Sequence, residues 1–189
     1  MKPPTPVENL PALRALPLEA DDARREKQQA LLLVGLAKTE AESLLSEYLK
    51  HQGPPFSTNF NPPQTPPHSI PVLKREDLPS SIYKRLALIQ SSFQLLTRWF
   101  ASVHTWQSSL NPNAHNLANL LQMSKRNSDA LSKQLNVILD QEDLSSPSPP
   151  SITSAYNQKV AGYFVCKSYL DWLDQAQIDL TILVSESAV

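Results

Sequence analysis

Proline is excluded from four long stretches of this chain. Of its 17 prolines, none falls in 18–53, 80–111, 113–146 or 151–189. A proline inside a helix removes a backbone donor and clashes with the preceding turn, at about 3 kcal/mol. Four proline-free windows parted by proline-dense segments therefore predict four long helices. The dense segments differ in length, and that difference carries the topology.

The second window shows the clearest periodicity. Ile82, Leu86, Ile89, Phe93, Leu96, Phe100 and Val103 recur in alternating steps of four and three, with Leu110 beyond a polar slot at Gln107. That is an a/d stripe, suited to a bundle with crossing angles near 20°. The first window repeats it with Val34, Ala37, Ala41, Leu44 and Tyr48. The third runs Leu117, Leu121, Ser124, Ser128, Leu131, Leu135, Ile138, so thinner or hydrated packing is expected at its middle. The fourth runs Tyr163, Cys166, Leu170, Leu173, Gln177, Leu180, Val184.

End signals agree with these windows. Asp21 and Asp22 suit the positive end of a first helix, and Gly53-Pro54-Pro55 stops it. Asn111-Pro112 reads as an N-cap with proline at the first helical position, and Ser151 or Thr153 can cap the fourth helix. Only Leu110 to Asn113 separates the second and third helices, which makes them antiparallel neighbours. The links from His51 to about Leu78 and from Gln141 to Ser154 are long enough to run the length of a helix of about 25 residues, or about 37 Å. Two long crossovers around one short turn predict an all-α, long-chain up-up-down-down four-helix bundle. A plain antiparallel bundle with slack loops is the alternative. We read one domain over 1–189, with helices at about 21–51, 80–109, 113–140 and 153–184 and a flexible N-terminal arm over 1–20.

The composition points away from catalysis. Three glycines (Gly35, Gly53 and Gly162) cannot build a phosphate-cradling loop. The single cysteine, Cys166, sits on an apolar helical face and reads as a buried thiol. His51, His68, His104 and His115 are scattered, without ligand spacing, so no metal site, cofactor or catalytic residue is expected. A formal net charge of −1 supplies no field for nucleic acid or an anionic membrane. No apolar run suits a membrane span or a secretory signal peptide, which by itself suggests a cytoplasmic protein.

Two stretches resemble a known family. LLSEYLKHQGPPFSTNFNPP (44–63) is similar to the end of the first helix and the start of the next loop in cardiotrophin-type cytokines, at Tyr48, Gly53, Pro55, Phe56, Phe60, Pro62 and Pro63. KVAGYFVCKSYLDWLDQAQIDLTILV (159–184) looks like their fourth helix, at Lys159, Val160, Gly162, Val165, Cys166, Tyr169, Trp172, Leu173, Asp179 and Leu180. The resemblance is to the interleukin-6-type family, on its cardiotrophin branch. It implies an extracellular cytokine, secreted without a recognisable N-terminal signal peptide, that bridges single-pass receptors. The implied partners are the leukaemia inhibitory factor receptor, the shared signal-transducing receptor and a non-signalling co-receptor.

It also implies sites. Some members bind the leukaemia inhibitory factor receptor through Phe-x-x-Lys at the start of the fourth helix, and this chain has Tyr156-Asn157-Gln158-Lys159. Tyr156 keeps a large flat anchor, and Lys159 could pair with a receptor carboxylate. The bland reading is an aromatic closing the bundle end beside a solvated lysine. The shared receptor contacts the first and third helices in the family. Periodicity puts Arg24, Gln28 and Leu31, and Gln122, Arg126 and Asp129, off the core stripe there. A co-receptor contact near the end of the fourth helix would involve Trp172, Gln175 and Asp179. Several relatives carry arginine where Gln175 stands, and Trp172 reads better as packing beneath the long loop. The competing function is an intracellular helical adaptor whose proline-rich ends serve as polyproline ligands.

Overall fold

The computed structural model describes residues 12–67 and 69–188, of which 12–19 by backbone alone. It is all-helical: α1 (Ala12–His51), α2 (Ile82–Leu110), α3 (His115–Leu139) and α4 (Ala155–Glu186), with one 3-10 turn at Arg75–Asp77. The last three begin and end within two residues of the expected bounds. The first does not. It starts at Ala12 and passes through Pro17, so 12–20 is helical where a flexible arm was expected, and 1–11 lies outside the described residues. A proline-free window marks where a helix can run unbroken, and it does not forbid a helix from crossing one proline near its start. Asp21 and Asp22 consequently sit inside α1 and not at its end.

Hydrogen bonds between helices fix the directions. Early α1 meets late α4 and late α3, through Lys27 to Ser187 and Gln134 to Glu26. Late α1 meets early α4, where the Tyr48 hydroxyl donates to the Lys159 carbonyl. Early α2 meets late α4 through Arg85 and Asp179, and late α3 through Gln90 and Ser132. The ends of α1 and α2 meet each other, through reciprocal amide bonds of 2.9 Å between Gln52 and Gln107. So α1 and α2 run one way and α3 and α4 the other. Each helix of one pair packs on both of the other, and among the described residues neither α1–α2 nor α3–α4 forms a helix–helix interface.

The core follows the stripes in α1 and α2. Val34, Ala37, Ala41, Leu44 and Tyr48 are fully buried, as are Leu86, Ile89, Phe93, Leu96, Phe100 and Val103. The polar slot at Gln107 is buried and matched by Gln52, whose amide also donates to the Tyr48 carbonyl. In α3 the serines are buried as well. Ser128 bonds Thr97 at 2.9 Å and Ser132 accepts from Gln90 at 3.0 Å, while Ser124 Oγ has no partner. Of the two stripe serines where thinner or hydrated packing was expected, Ser128 is thus bonded to α2, while Ser124 has no partner among the described residues.

In α4 the buried face is wider than the expected stripe. Cys166, Leu173 and Leu180 are fully buried, but Tyr163, Leu170, Gln177 and Val184 are only partly so. Val160, Ala161, Gly162, Val165, Tyr169, Trp172, Ala176 and Leu183 are buried too. The reason is a third cover, the α1–α2 crossover. Trp172 Nε1 donates to the Pro71 carbonyl at 2.6 Å, and Trp99 Nε1 on α2 donates to the Ser69 carbonyl at 3.1 Å. Ile70 is pressed into the core between these two tethers.

The helix ends differ from the expected caps in two places. Asn111 closes α2, its side chain donating to Gln107 Oε1, and α3 starts after Ala114 with no side-chain cap. Ser154 caps α4 by accepting the Asn157 N–H. Gly53 takes φ +73°, a left-handed turn that glycine adopts without penalty, and so ends α1 as expected.

Candidate functional site: the bundle end at the start of α4

Tyr156 lies on the first turn of α4 and is 56 % exposed. Its ring is not loose. It leans on buried Phe56 at 5.8 Å between centroids, and Phe56 stacks on Phe60 at 4.5 Å. Phe60 meets Tyr163 edge-on at 4.9 Å, and Tyr163 meets Phe164 at 5.3 Å. The crossover prolines and Gly53 turn the chain so that Phe56 and Phe60 return to α4. Such pairs add about 0.5–1.5 kcal/mol each beyond area burial and restrict the rings. Tyr156 therefore presents an open edge from a propped position.

Beside it is a groove of about 710 Å³. Pro63, Thr65 and Pro67 of the first crossover form one wall, Pro150 and Ile152 of the second form another, and Val160 and Tyr156 close it along α4. The floor is apolar and the backbone is stiffened by proline, a combination that accepts an apolar side chain from a partner at little entropic cost.

Lys159 has a different task from the one expected. Its Nζ donates to the Gln52 carbonyl at 2.8 Å, past the end of α1, where carbonyls lack helical partners. Its own carbonyl receives the Tyr48 hydroxyl. The ammonium is thus occupied inside the fold, and Lys159 ties α4's first turn to α1. Tyr156 and Lys159 share that turn but face different surroundings.

A second open surface lies along α1 and α3. Leu32 and Leu36 are 71 % and 68 % exposed one turn apart, and Met123 and Val137 are exposed on α3. The helical arrangement places all four on the solvent side of the α1–α3 seam, which Gln134 bonds to Glu26 and Asn127 to Glu40.

Comparison with known proteins decides what these surfaces belong to. The chain is 30% identical over 167 residues to human cardiotrophin-1, covering 81% of this chain and 82% of that protein. It is 30% identical over 175 residues to mouse cardiotrophin-2, covering 82% and 81%. The chain belongs to the cardiotrophin family. No family model matches it, and no solved structure does.

As a cardiotrophin-family chain it is an interleukin-6-type cytokine and not an enzyme; its family acts outside the cell, on cell-surface cytokine receptors. Among the described residues no group of His, Cys, Asp and Glu could hold a metal ion, and no helix is long and apolar enough to cross a membrane.

The remaining expected site residues divide by exposure. Arg24, Gln28 and Arg126 are exposed, Gln122 is half-buried, and Asp129 is half-buried in an ion pair with Lys133 at 2.7 Å. Leu31 is half-buried against the core, while its neighbour Leu32 points outward. The signal was present in the sequence. Leu31 precedes Val34 by three residues and so lies near the same face, whereas Leu32 precedes it by two and lies nearly opposite.

Trp172, Gln175 and Asp179 are all buried, so the co-receptor contact that the resemblance implies has little of these side chains to touch, and Trp172 packs beneath the long loop as read from the sequence. Trp172 holds the crossover. Asp179 receives Arg85 through Nε at 3.0 Å and Nη2 at 2.9 Å, and Gln175 Nε2 donates to its other oxygen at 3.2 Å. Arg85 also donates to the Pro79 and Ser80 carbonyls. A buried carboxylate needs such partners, so Gln175 completes its shell where an arginine would add a second cation.

Proposed function

We propose that this cytokine bridges two receptor chains, the leukaemia inhibitory factor receptor at the start of α4 and the shared signal-transducing receptor along the α1–α3 face. The observation that carries the reading is Tyr156, an exposed aromatic held by Phe56 at the mouth of an apolar groove. Aromatic anchors that are rigid before binding dominate interface energetics because little entropy is lost on docking. Lys159 serves this contact as a positioning residue, by fixing α4's first turn to α1. Leu32 and Leu36, with Arg24 and Gln28 beside them on α1 and Met123, Val137, Gln122 and Arg126 on α3, form the second contact; Asp129 lies toward α2 and stays outside it. Neither contact uses Trp172, Gln175 or Asp179.

The test is binding of the full chain to each receptor ectodomain separately. Tyr156→Ala is expected to weaken the leukaemia inhibitory factor receptor at least tenfold and leave the shared receptor unchanged. Leu32→Arg with Leu36→Arg is expected to do the reverse. Wild-type binding by both folded variants overturns the reading.

A further inference from the structure

The second crossover contains Asp143-Leu144-Ser145-Ser146-Pro147-Ser148-Pro149-Pro150. It runs without regular secondary structure over the outside of α2. Arg98 of α2 reaches it with both arms of its guanidinium. Nε donates to Ser146 Oγ at 2.8 Å and Nη1 to Ser148 Oγ at 3.2 Å. Arg98 is exposed and has no carboxylate within ion-pair distance among the described residues. Its forked charge is therefore spent on two neutral hydroxyls, each followed by proline.

We infer that Ser146 and Ser148 are phosphorylation sites for a proline-directed serine/threonine kinase, with Arg98 as the built-in receiver of the phosphate. In the transfer, Ser Oγ forms a bond to the γ-phosphorus of ATP as the bond from that phosphorus to the β,γ-bridging oxygen breaks. ADP leaves, and the hydroxyl proton passes to the base of the kinase. Both serines meet the steric needs of the reaction. The segment has no regular secondary structure, Ser148 is exposed and Ser146 half-buried, and a following proline favours an open backbone at each serine. The product gains up to two negative charges and three strong acceptors beside a planar cation, the pairing that docks phosphorylated loops. A neutral sugar on the same hydroxyl would leave the guanidinium unanswered.

The surroundings set the sign of the effect. The cleft between α2, α3 and this crossover also holds Asp129 and Asp143. Asp129 is paired with Lys133, and Asp143 accepts from Gln94 Nε2 at 3.0 Å and Asn136 Nδ2 at 3.4 Å. Arg98 is thus the cation among the residues lining this cleft and already touches both hydroxyls, so a phosphate on either serine is drawn onto α2 against the unpaired carboxylate of Asp143. Thr65-Pro66 in the first crossover offers the equivalent Thr-Pro dipeptide, but among the described residues its hydroxyl has no cation hydrogen-bonded to it, so it serves as the internal reference.

The experiment uses the purified full chain, ATP and a proline-directed kinase, with sites mapped by fragmentation and each phosphate titrated by phosphorus NMR. Incorporation is expected at Ser146 or Ser148 and lost in Ser146→Ala with Ser148→Ala. The second ionisation of that phosphate, ordinarily near 6, is expected about half a unit or more lower than in the Arg98→Gln variant. No incorporation at either serine, incorporation at Thr65 alone, or identical titration in wild type and Arg98→Gln overturns the inference. So does hexosamine in place of phosphate on these serines in protein from producing cells.

Discussion

The Tyr48 hydroxyl crosses from α1 to α4 and reaches the Lys159 carbonyl at 2.8 Å by lying directly over Gly162. A methyl group at position 162 would overlap the phenol ring and its oxygen. Glycine costs about 1 kcal/mol inside a helix, and here it is the condition for Tyr48 to enter. The start of α4, with Tyr156 on its outer side, is set against α1 by that fit and by the Lys159 ammonium on Gln52.

Gly162→Ala is therefore expected to destabilise the fold by about 1–3 kcal/mol, although alanine favours helix. Tyr48→Leu in the same chain should relieve part of that cost, so the double variant falls short of the sum of the singles. Urea unfolding of the four proteins measures it, and strict additivity would refute the contact.

Tyr156 and Lys159 should separate in their effects. Tyr156→Ala is expected to cost no more than about 0.5–1.5 kcal/mol of stability, the worth of its contact with Phe56 for a ring that is otherwise exposed, while weakening receptor binding. Lys159→Met is expected to lose about 1 kcal/mol of stability, through the freed Gln52 carbonyl, and to weaken binding only as far as the first turn of α4 loosens. Paired unfolding and binding titrations check this; an unchanged unfolding midpoint in Lys159→Met would return that lysine to the solvent.

The Arg85–Asp179 pair is buried, with 17 % and 1 % of the side chains exposed. Removing one partner leaves an uncompensated charge, so Arg85→Met should cost about 3–5 kcal/mol. Arg85→Met with Asp179→Leu should recover most of it. Thermal unfolding of the single and double variants measures the difference.

Stability should fall in alkali. Burial pushes the Tyr48 phenol well above its ordinary 10.0 and the Cys166 thiol well above its ordinary 9.0, and burial raises Tyr169 as well. The unfolded chain releases these protons while the folded chain keeps them. The stabilisation is complete below about 9 and shrinks as pH rises past 9 and then 10. Urea midpoints measured from neutral pH to about 11 should show this, with the onset moved upward in Cys166→Ala.

Periodicity made α1 and α2 legible because each buries one stripe against two helices. The α4 stripe was drawn too narrow because a loop covers a further arc of that helix; Trp172 was legible as packing beneath that loop, but its bond to the Pro71 carbonyl leaves no pattern in sequence. Pro17 misled in the other direction, since α1 tolerates it. At the candidate site Tyr156 was singled out by the resemblance of Tyr156-Asn157-Gln158-Lys159 to the family's Phe-x-x-Lys and not by periodicity. The Lys159–Gln52 bond was not, because it joins residues more than a hundred positions apart whose meeting depends on the antiparallel approach of α1 and α4.

The two indoles that hold the first crossover bind it at the carbonyls of residues 69 and 71, not at side chains. Every amino acid offers that acceptor. The outward-facing residues of this loop can therefore be exchanged without releasing it, so what the chain displays there can change while its path stays the same.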